Sequence, residues 1–509
     1  MRLLTNYLLE SGVSTTAELP VQEELPEKIL QFGQGNFLRG YIDWMIHQMN
    51  KQGLFNGKVV VVQPLSQGPT IPLLNQQNGL FTVVLRGVQN GNVIDKSEVI
   101  SSISRGLNAK LDWQEVLKVG ESQELEFIFS NTTEAGITYV EEDYVEGEAP
   151  LSFPGKLTDF LYHRFKAFEG DSGSGLIVIP CELIEKNGLK LREFVLKKAD
   201  DWNLPAEFKR WVSEHNEFCN TLVDRIVTGF PNDNLEEFHS LLGYKDNFIT
   251  VGEPYHMFAI EGSEAVQKKL PLHRAGLNVK WGDITSHREL KVRLLNGPHT
   301  MLFAVSYLYG VDTVLEAMKE STLRQFVELG FQEIAPTVEA EEKIKISFME
   351  DVKERFLNPY NKHYLTDIGL NAVYKFQTRL LPTLHRYTEK NRRLPQAIVF
   401  SLAALIAYYR PVREKENPLI GLRKDGQEYT MRENEKVTAA FVSGWENVTK
   451  GQVTIAEFVQ AILADQDFWG EDLTELDQLA IFVGEYLTDI ISIGMKESVE
   501  KFVQNTYKK

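Results

Sequence analysis

The chain has 509 residues and a net charge of −17, with 43% hydrophobic and 25% charged residues. This composition excludes wholesale disorder, and the length predicts two or more domains with a large core. The negative charge argues against nucleic acid or an anionic membrane as a partner and requires a local basic pocket for any anionic substrate.

Up to about Gly262, short β-type segments alternate with helical or turn-rich stretches. The predicted strands are KILQF, KVVVVQ, FTVVLRGV, LEFIFSNTT and GLIVIPCEL. This alternation predicts an α/β, Rossmann-like N-terminal domain with a mostly parallel sheet, and the pattern after Lys280 predicts a mainly α-helical C-terminal domain. The predicted domains are 1–272 and 273–509, joined in the segment RAGLNVKWGDITSH.

The first candidate binding segment is KILQFGQGNFLRG. It predicts a strand over residues 29–32, a turn over residues 33–35 and a helix that begins near Asn36. Glycines in such a turn let the backbone approach a pyrophosphate, and the helix N-terminus offers it free amides. Leu38 replaces the usual third glycine, so the residues alone leave open both a dinucleotide site and an ordinary strand-to-helix turn.

The second strand, KVVVVQ, ends at Gln63 and is followed by Pro64. An acidic residue at this point would hold the adenosine ribose of NAD, but none is present. No Arg or Lys directly follows Val62 to receive a 2′-phosphate, so the sequence favours NAD over NADP. Gln63 is either a ribose contact or a solvent-exposed residue without a role.

Metal ligation is not predicted. The histidines are scattered, and the sequence contains no HxxxH or CxxC spacing. A zinc site assembled from distant segments is the less favoured alternative. The two cysteines and an N-terminus without a signal-peptide pattern predict a cytoplasmic location. The apolar residues 397–409 are too few to cross a bilayer core of about 30 Å, and they predict a buried helix.

The helical part begins with an unusual segment, ELKVRLLNGPHTML. Its apolar positions suit a core helix, but Pro298 has no amide hydrogen, and its ring would crowd the carbonyl of Leu294. We therefore expect a bend at residues 297–298 that opens a concave site beside the helix.

Three polar residues of this segment, Lys291, Asn296 and His299, point to one side of the predicted helix. A partly buried lysine beside a cationic nicotinamide is a usable proton acceptor. An asparagine can donate to a carbonyl oxygen, and a histidine can hold a neighbouring hydroxyl. The alternative from the residues alone is a kinked core helix with a solvated lysine.

The spacing Lys291-x4-Asn296-x2-His299, together with GQGNFLRG, resembles the polyol-specific long-chain dehydrogenases of the mannitol dehydrogenase family. The resemblance implies an NAD-dependent oxidoreductase in which Lys291 is the general acid or base, Asn296 polarises the reacting oxygen and His299 binds substrate. It also implies that the cofactor is bound by Ile29, Leu30, Gln31, Phe32, Gly33, Gln34, Gly35, Asn36, Phe37, Leu38, Arg39 and Gly40.

Further segments, among them IPCELIEKNGLKLRE, LVDRIVTG and VGEPYHMFAIEG, resemble the branch of this family that acts on hexuronates. This resemblance implies the reversible, metal-independent reduction of D-tagaturonate to D-altronate in galacturonate breakdown. The substrate carboxylate then needs a basic partner. The basic residues in the segments that carry the resemblance are Lys375, His363, Arg379 and His256, of which Lys375 and His363 are the predicted substrate-binding residues.

The sequence departs from the family at one point. Mannitol dehydrogenases and fructuronate reductases typically have an Asp-Asn pair after the cysteine, and that asparagine is a second donor to the reacting oxygen. Here Cys181 is followed by Glu182 and Leu183, so this donor is missing or comes from elsewhere, with Asn187 as a candidate.

Two alternatives stay open. A fructuronate reductase or a mannitol-type polyol dehydrogenase is disfavoured by the missing Asp-Asn pair. A non-catalytic regulator that binds a sugar acid or a nucleotide is disfavoured by the intact lysine, asparagine and histidine. The oligomeric state and the direction of flux are not determined by the sequence.

Overall fold

The computed structural model describes residues 1–21, 24–64, 68–132, 136–360, 362–412 and 419–507. The chain forms two compact units, Met1–Thr285 and Ser286–Lys509. The first is α/β and the second is largely helical, which confirms the predicted fold class. The domain limits 1–272 and 273–509 stay a prediction. Within the described ranges, no helix has both the length and the apolar character needed to cross a membrane.

Strands of the first unit form three sheets. They are β1 (Glu27–Phe32), β2 (Lys58–Gln63), β3 (Phe81–Gln89), β4 (Asn92–Ile100), β5 (Ile103–Asn108), β6 (Phe127–Ser130), β7 (Ile177–Pro180), β8 (Glu217–Phe218), β9 (Asn220–Asp224), β10 (Val227–Gly229), β11 (Thr250–Gly252), β12 (Met257–Glu261) and β13 (Val279–Trp281). The helices are Asn6–Glu10, Asn36–Leu38, Arg39–Asp43 (π), Trp44–Lys51, Thr70–Gln76, Trp113–Val119, Phe153–Ala167, Ser172–Ser174, Asn187–Asp201, Ala206–His215, Asn232–Asn234, Leu235–Leu242, Glu264–Lys269 and Leu272–Ala275.

The main sheet has the strand order β5-β2-β1-β6-β7-β8, and all its neighbouring strands are parallel. Its Val-, Ile- and Phe-rich strands pack into one hydrophobic core on each face, as expected for a sheet that is covered on both sides. The order runs outward in both directions from β1. The crevice at the carboxyl ends of β1 and β6 is therefore the position where such sheets bind dinucleotides.

One predicted strand lies elsewhere. FTVVLRGV is β3, which belongs to a separate sheet with the order β10-β11-β3-β4. It forms an antiparallel hairpin with β4 through Asn90 and Gly91, both of which have a positive φ. An Asn-Gly pair favours this turn and returns the chain beside β3. The strand beside β2 in the parallel sheet is therefore β5 and not β3. The third sheet has the order β13-β12-β9.

The second unit is built from helices around one core. They are Thr285–Leu290, Lys291–Asn296 (π), Gly297–Tyr309, Val314–Lys319, Ser321–Ile334, Ala335–Thr337, Glu342–Phe356, Leu365–Ile368, Ala372–Arg379, Leu381–Asn391, Gln396–Tyr408, Glu435–Thr449, Ile455–Leu463, Gln466–Trp469, Leu473–Glu475, Leu479–Ile493 and Met495–Tyr507, with a hairpin of β14 (Ile420–Leu422) and β15 (Glu428–Thr430). Helix Gln396–Tyr408 is buried along nearly its whole length, which confirms the buried helix predicted at residues 397–409.

A buried ion pair fastens helix Asn187–Asp201 to the chain that follows β6. Lys198 Nζ lies 3.2 Å from Glu142 Oε1, and the two side chains are 0% and 3% exposed. Lys198 also donates to the carbonyl of Val140. Trp202 packs beside the pair, with its Nε1 donating to the Glu142 carbonyl at 2.9 Å.

We expect Lys198→Met to lower the free energy of unfolding by about 3 kcal/mol, because it leaves the Glu142 carboxylate buried without its cation. Urea unfolding followed by tryptophan fluorescence measures this, since Trp202 adjoins the pair. Lys209→Met is the matched control. Its bond to Asp200 is 2.6 Å long, but the side chains are 35% and 63% exposed, so the expected loss is under about 0.5 kcal/mol. Equal losses in both variants would contradict the prediction.

Candidate active site

The glycine turn after β1 lies at the dinucleotide crevice of the main sheet. Gly33 has φ +127°, and its N–H donates to the Val62 carbonyl at 2.9 Å. A Cβ on Gly33 would come within 2.8 Å of Leu38 Cδ1 and 2.9 Å of the Asn131 carbonyl oxygen, so only glycine fits. A Cβ on Gly35 would meet no described atom within 4 Å. The exposed backbone of Gly35, directly before the helix that begins at Asn36, is therefore open to a ligand.

Arg39, one of the predicted cofactor residues, lies inside the unit. Its guanidinium donates to the Gln34 carbonyl, to Asn36 Oδ1 at 2.6 Å and to Thr250 Oγ1 at 3.2 Å. Burial lowers the pKa of Arg39 to about 10, so the group stays cationic near neutral pH. Arg39 therefore stabilises the glycine turn through hydrogen bonds inside the protein.

The other predicted cofactor residues differ in what they offer. The side chains of Ile29, Leu30, Gln31, Phe32 and Leu38 are buried, Gly40 packs against Val227 and Thr250, and Phe37 is partly exposed. What this segment presents at the crevice is therefore mainly the backbone of residues 33–36. Their contact with a cofactor stays a prediction.

Gln63 ends β2 and is only 2% exposed. The interpretation of Gln63 as a solvent-exposed residue was therefore wrong, whereas a ribose contact stays a prediction. Pro64 follows it, and residues 65–67 lie outside the described ranges.

Asn187, the candidate second donor, is fully engaged inside the unit. Its Nδ2 donates to the carbonyls of Pro180 at 2.9 Å and Glu182 at 3.1 Å and to Thr221 Oγ1 at 3.0 Å. Its Oδ1 accepts from the Thr221 N–H at 2.9 Å. No amide hydrogen is left for a substrate oxygen, and Leu183, which follows Glu182, has an apolar side chain.

The helix that carries Lys291, Asn296 and His299 contains a π turn over Lys291–Asn296. The Gly297 N–H donates to the carbonyl of Val292, five residues back, and a regular α-helix resumes from Gly297. Because Pro298 cannot donate to the carbonyl four residues before it, the chain accommodates one extra residue ahead of it. A π turn thus lies directly before residues 297–298, and the bend expected there stays a prediction.

This π turn changes which side chains share a face. Its hydrogen bonds join residues five apart, so residues with that spacing lie one above the other. Lys291 and Asn296 have this spacing, and His299 follows three residues later on the α-helical part. Lys291 and Asn296 are partly exposed, whereas His299 is 7% exposed.

His299 is a buried imidazole with one open nitrogen. Its ring lies 4.3 Å from the Phe356 ring and 4.7 Å from the His363 ring, measured between centroids. Its Nε2 is buried and has no hydrogen-bond partner among the described residues. Burial lowers the pKa of His299 well below its usual value, and nearby cations lower it further. The ring is therefore neutral near pH 7 and can bond to a hydroxyl.

Basic side chains surround His299. They are His363, Arg355, Arg379 and Lys375, each of which acts electrostatically on the imidazole. Arg379 Nη1 donates to Thr300 Oγ1 at 3.2 Å, and that hydroxyl donates to the Asn296 carbonyl at 3.0 Å. We call His299, His363, Arg355, Arg379 and Lys375 the basic group.

Lys375, a predicted substrate-binding residue, belongs to this group. Its Nζ donates to the Ile368 carbonyl at 2.9 Å. Burial, followed by Arg379, lowers the pKa of Lys375 to about 8. The structure thus brings Lys375 and His363 together with His299, although their contact with substrate stays a prediction.

For two other basic residues, the structure differs from what the sequence suggested. Arg355 was not predicted, because it lies on helix Glu342–Phe356 outside any motif, and no spacing connects it to His299. His256 lies in the first unit, where its Nε2 accepts from the Asn278 N–H at 3.0 Å and its Nδ1 lies 3.2 Å from the Pro254 carbonyl. Both of its ring nitrogens are therefore occupied locally.

A metal centre has no evident set of ligands. Across the described ranges, no three His, Cys, Asp or Glu side chains are grouped so that they could hold a metal ion. Metal independence itself stays a prediction.

The chain matches two family descriptions that together cover most of its length. Residues 27–274 match the Mannitol dehydrogenase Rossmann domain, and residues 283–490 match the Mannitol dehydrogenase C-terminal domain. These matches agree with the α/β unit and the helical unit of the structure.

Full-length relatives support the same conclusion. Altronate oxidoreductase of Halalkalibacterium halodurans is 51% identical over 94% of this chain and 93% of its own length. Altronate oxidoreductase of Bacillus subtilis is 44% identical over 94% of this chain and 96% of its own length. The ternary complex of Pseudomonas fluorescens mannitol 2-dehydrogenase with NAD and D-mannitol shares the fold, with a TM-score of 0.72, 20% identity and coverage of 99% of this chain and 100% of that chain. The chain therefore belongs to the mannitol dehydrogenase family.

Proposed function

We propose that this protein is an NAD-dependent oxidoreductase that reversibly reduces D-tagaturonate to D-altronate. The full-length relatives named altronate oxidoreductases support this choice. The observation that carries it is the basic group around His299, which gathers positive charge inside a chain of net charge −17. A neutral polyol gives no reason for such a group, whereas a sugar acid brings a carboxylate that these cations can hold.

The glycine turn fits a dinucleotide. The open backbone at Gly35 and the helix that follows can receive a pyrophosphate, and the parallel strand order places them at the crevice. NAD, when bound, supplies the hydride chemistry. The absence of a basic residue directly after Val62 favours NAD over NADP.

The helix with the π turn supplies the proton and the polar contacts. In the reduction, Lys291 gives a proton to the reacting oxygen, and in the oxidation it takes that proton back. Asn296 lies on the same side of the π turn and donates a hydrogen bond to the same oxygen. His299 uses its open Nε2 to hold a neighbouring hydroxyl, and the basic group holds the carboxylate.

The proposed partner is a small sugar acid, and neither nucleic acid nor a membrane is part of the proposal. We also propose that the protein works in a reducing cytoplasm, since Cys181 and Cys219 are both free and buried.

A comparative assay tests this function. Purified protein should oxidise NADH with tagaturonate at higher kcat/KM than with fructuronate or fructose, should use NADH better than NADPH, and should keep its rate after treatment with a strong chelator. Preference for fructuronate or fructose would select the alternative dehydrogenases. Binding of a sugar acid without turnover would select the regulator, and a chelator-induced loss restored by zinc would contradict the lysine mechanism.

Substitution of Lys291 tests its role in proton transfer. We expect Lys291→Met to lower kcat by about 10²- to 10⁴-fold, because it keeps the aliphatic stem and removes the proton. Lys291→Ala should show the same loss. NADH affinity should stay close to the wild-type value in both, since the glycine turn lies in the other unit. Near-normal turnover in the Met variant, with a lowered thermal midpoint in the Ala variant, would show that Lys291 has only a packing role.

The pKa of Lys375 predicts a pH effect on substrate binding. Because this pKa is lowered to about 8, the ammonium is present below that pH and is lost as the pH rises through it. The KM for tagaturonate should therefore rise about tenfold between pH 7 and pH 9. Lys375→Arg should flatten this profile, and Lys375→Met should give a high KM throughout. The exposed Lys390 provides the control variant Lys390→Met, which should keep the wild-type profile, and a pH-independent wild-type KM would refute the assignment.

A further inference from the structure

Glu182 is a buried carboxyl at the carboxyl ends of β6 and β7. The residue is 2% exposed. Its Oε2 accepts from Ser130 Oγ at 3.0 Å, and its Oε1 accepts from the Thr132 N–H at 2.9 Å and from Thr132 Oγ1 at 3.0 Å. One side chain thus fixes the chain where it leaves β6, at the edge of the sheet where the dinucleotide crevice lies.

The same stretch of chain lies against the glycine turn. The Asn131 N–H donates to the Phe32 carbonyl at 3.1 Å, and Asn131 Nδ2 donates to the Cys181 carbonyl at 2.9 Å. The Asn131 carbonyl oxygen is one of the two atoms within 3 Å of the position that a Cβ on Gly33 would take. A shift of residues 130–132 therefore moves the surface on which Gly33 packs.

We propose that Glu182 is a positioning residue for the dinucleotide. It holds Ser130 and Thr132, and through them it keeps the Asn131 backbone against Gly33, so that the glycine turn has the shape that admits the pyrophosphate. This inference rests on the proposed function and deepens it. Glu182 acts through its neighbours, and its role requires no contact with the ligand.

The hydrogen-bond pattern explains the choice of side chain. An apolar residue of similar size would leave the Thr132 N–H without the acceptor it has now, which is costly in an interior. Burial raises the pKa of Glu182, while the bonds from Thr132 and Ser130 oppose that shift. A glutamine could still offer Oε1 to Thr132 and donate its amide to Ser130 Oγ, so hydrogen bonding is separable from charge.

The test compares substitutions of Glu182 by NADH titration, followed by the fluorescence of the nucleotide with no sugar present. We expect Glu182→Leu to raise the Kd for NADH by about tenfold or more, and Glu182→Gln to keep it within about threefold. The matched control is Asp159→Leu. Asp159 is another buried carboxyl, 3% exposed, which accepts from Trp113 Nε1 at 2.8 Å. The control should lower the thermal midpoint without changing NADH affinity.

If Glu182→Leu does not fold, variants of the residues that donate to Glu182 keep the test valid. The double variant Ser130→Ala with Thr132→Val removes both hydroxyl donors and should raise the Kd for NADH about tenfold. Adding Glu182→Gln to it should change the Kd little further.

The possible failures can be told apart. Wild-type NADH affinity in a folded Glu182→Leu protein, or in the double variant, overturns the proposal and leaves Glu182 a structural role. If the wild-type protein does not bind NADH, the proposed function fails, and the inference fails with it.

Discussion

The missing amide hydrogen of Pro298 is the constraint on which the proposed catalytic site depends. Because Pro298 cannot complete an α-helical bond to Leu294, the chain forms a π turn before it, and the Gly297 N–H bonds to Val292 instead. The extra residue brings side chains five apart onto one side of the helix. Lys291 and Asn296 are thus five residues apart across a π turn that directly precedes the helix breaker.

The distribution of charge in the helical unit follows a second constraint. Gathering cations in an interior is unfavourable unless some of them lose their charge. The pKa values of both His299 and His363 are lowered, chiefly by burial and also by nearby cations, so these rings are neutral near pH 7. The remaining positive charge belongs to Arg355, Arg379 and Lys375. The carboxylate of the proposed substrate would be attracted to this charge.

Much of the fold could be predicted from local sequence. Continuous apolar runs identified β1, β2 and the buried helix Gln396–Tyr408, and the glycines identified the turn after β1. The segment FTVVLRGV was assigned to the wrong sheet, although the sequence indicated its true pairing. The Asn-Gly pair at residues 90–91 favours an antiparallel hairpin over a parallel crossover.

The candidate site was less predictable, because its parts are distant in sequence. Lys291, Asn296 and His299 share one helix, so a motif could indicate them. Arg355 reaches His299 only through tertiary packing of another helix, and no local pattern carries that information. The role of Arg39 was also not predictable, since a basic residue beside a glycine turn suggests a phosphate contact. Its guanidinium instead donates hydrogen bonds to Thr250 and Asn36 within the protein.

The hydrogen bonds of Arg39 have a consequence for how the nucleotide binds. Gln34, Asn36 and Thr250 are joined through its guanidinium by hydrogen bonds within the protein. These bonds restrain the turn, which reduces the conformational entropy that it can lose on binding. A restrained turn contributes little folding to the binding step, so the heat-capacity change of binding should reflect chiefly the surface buried.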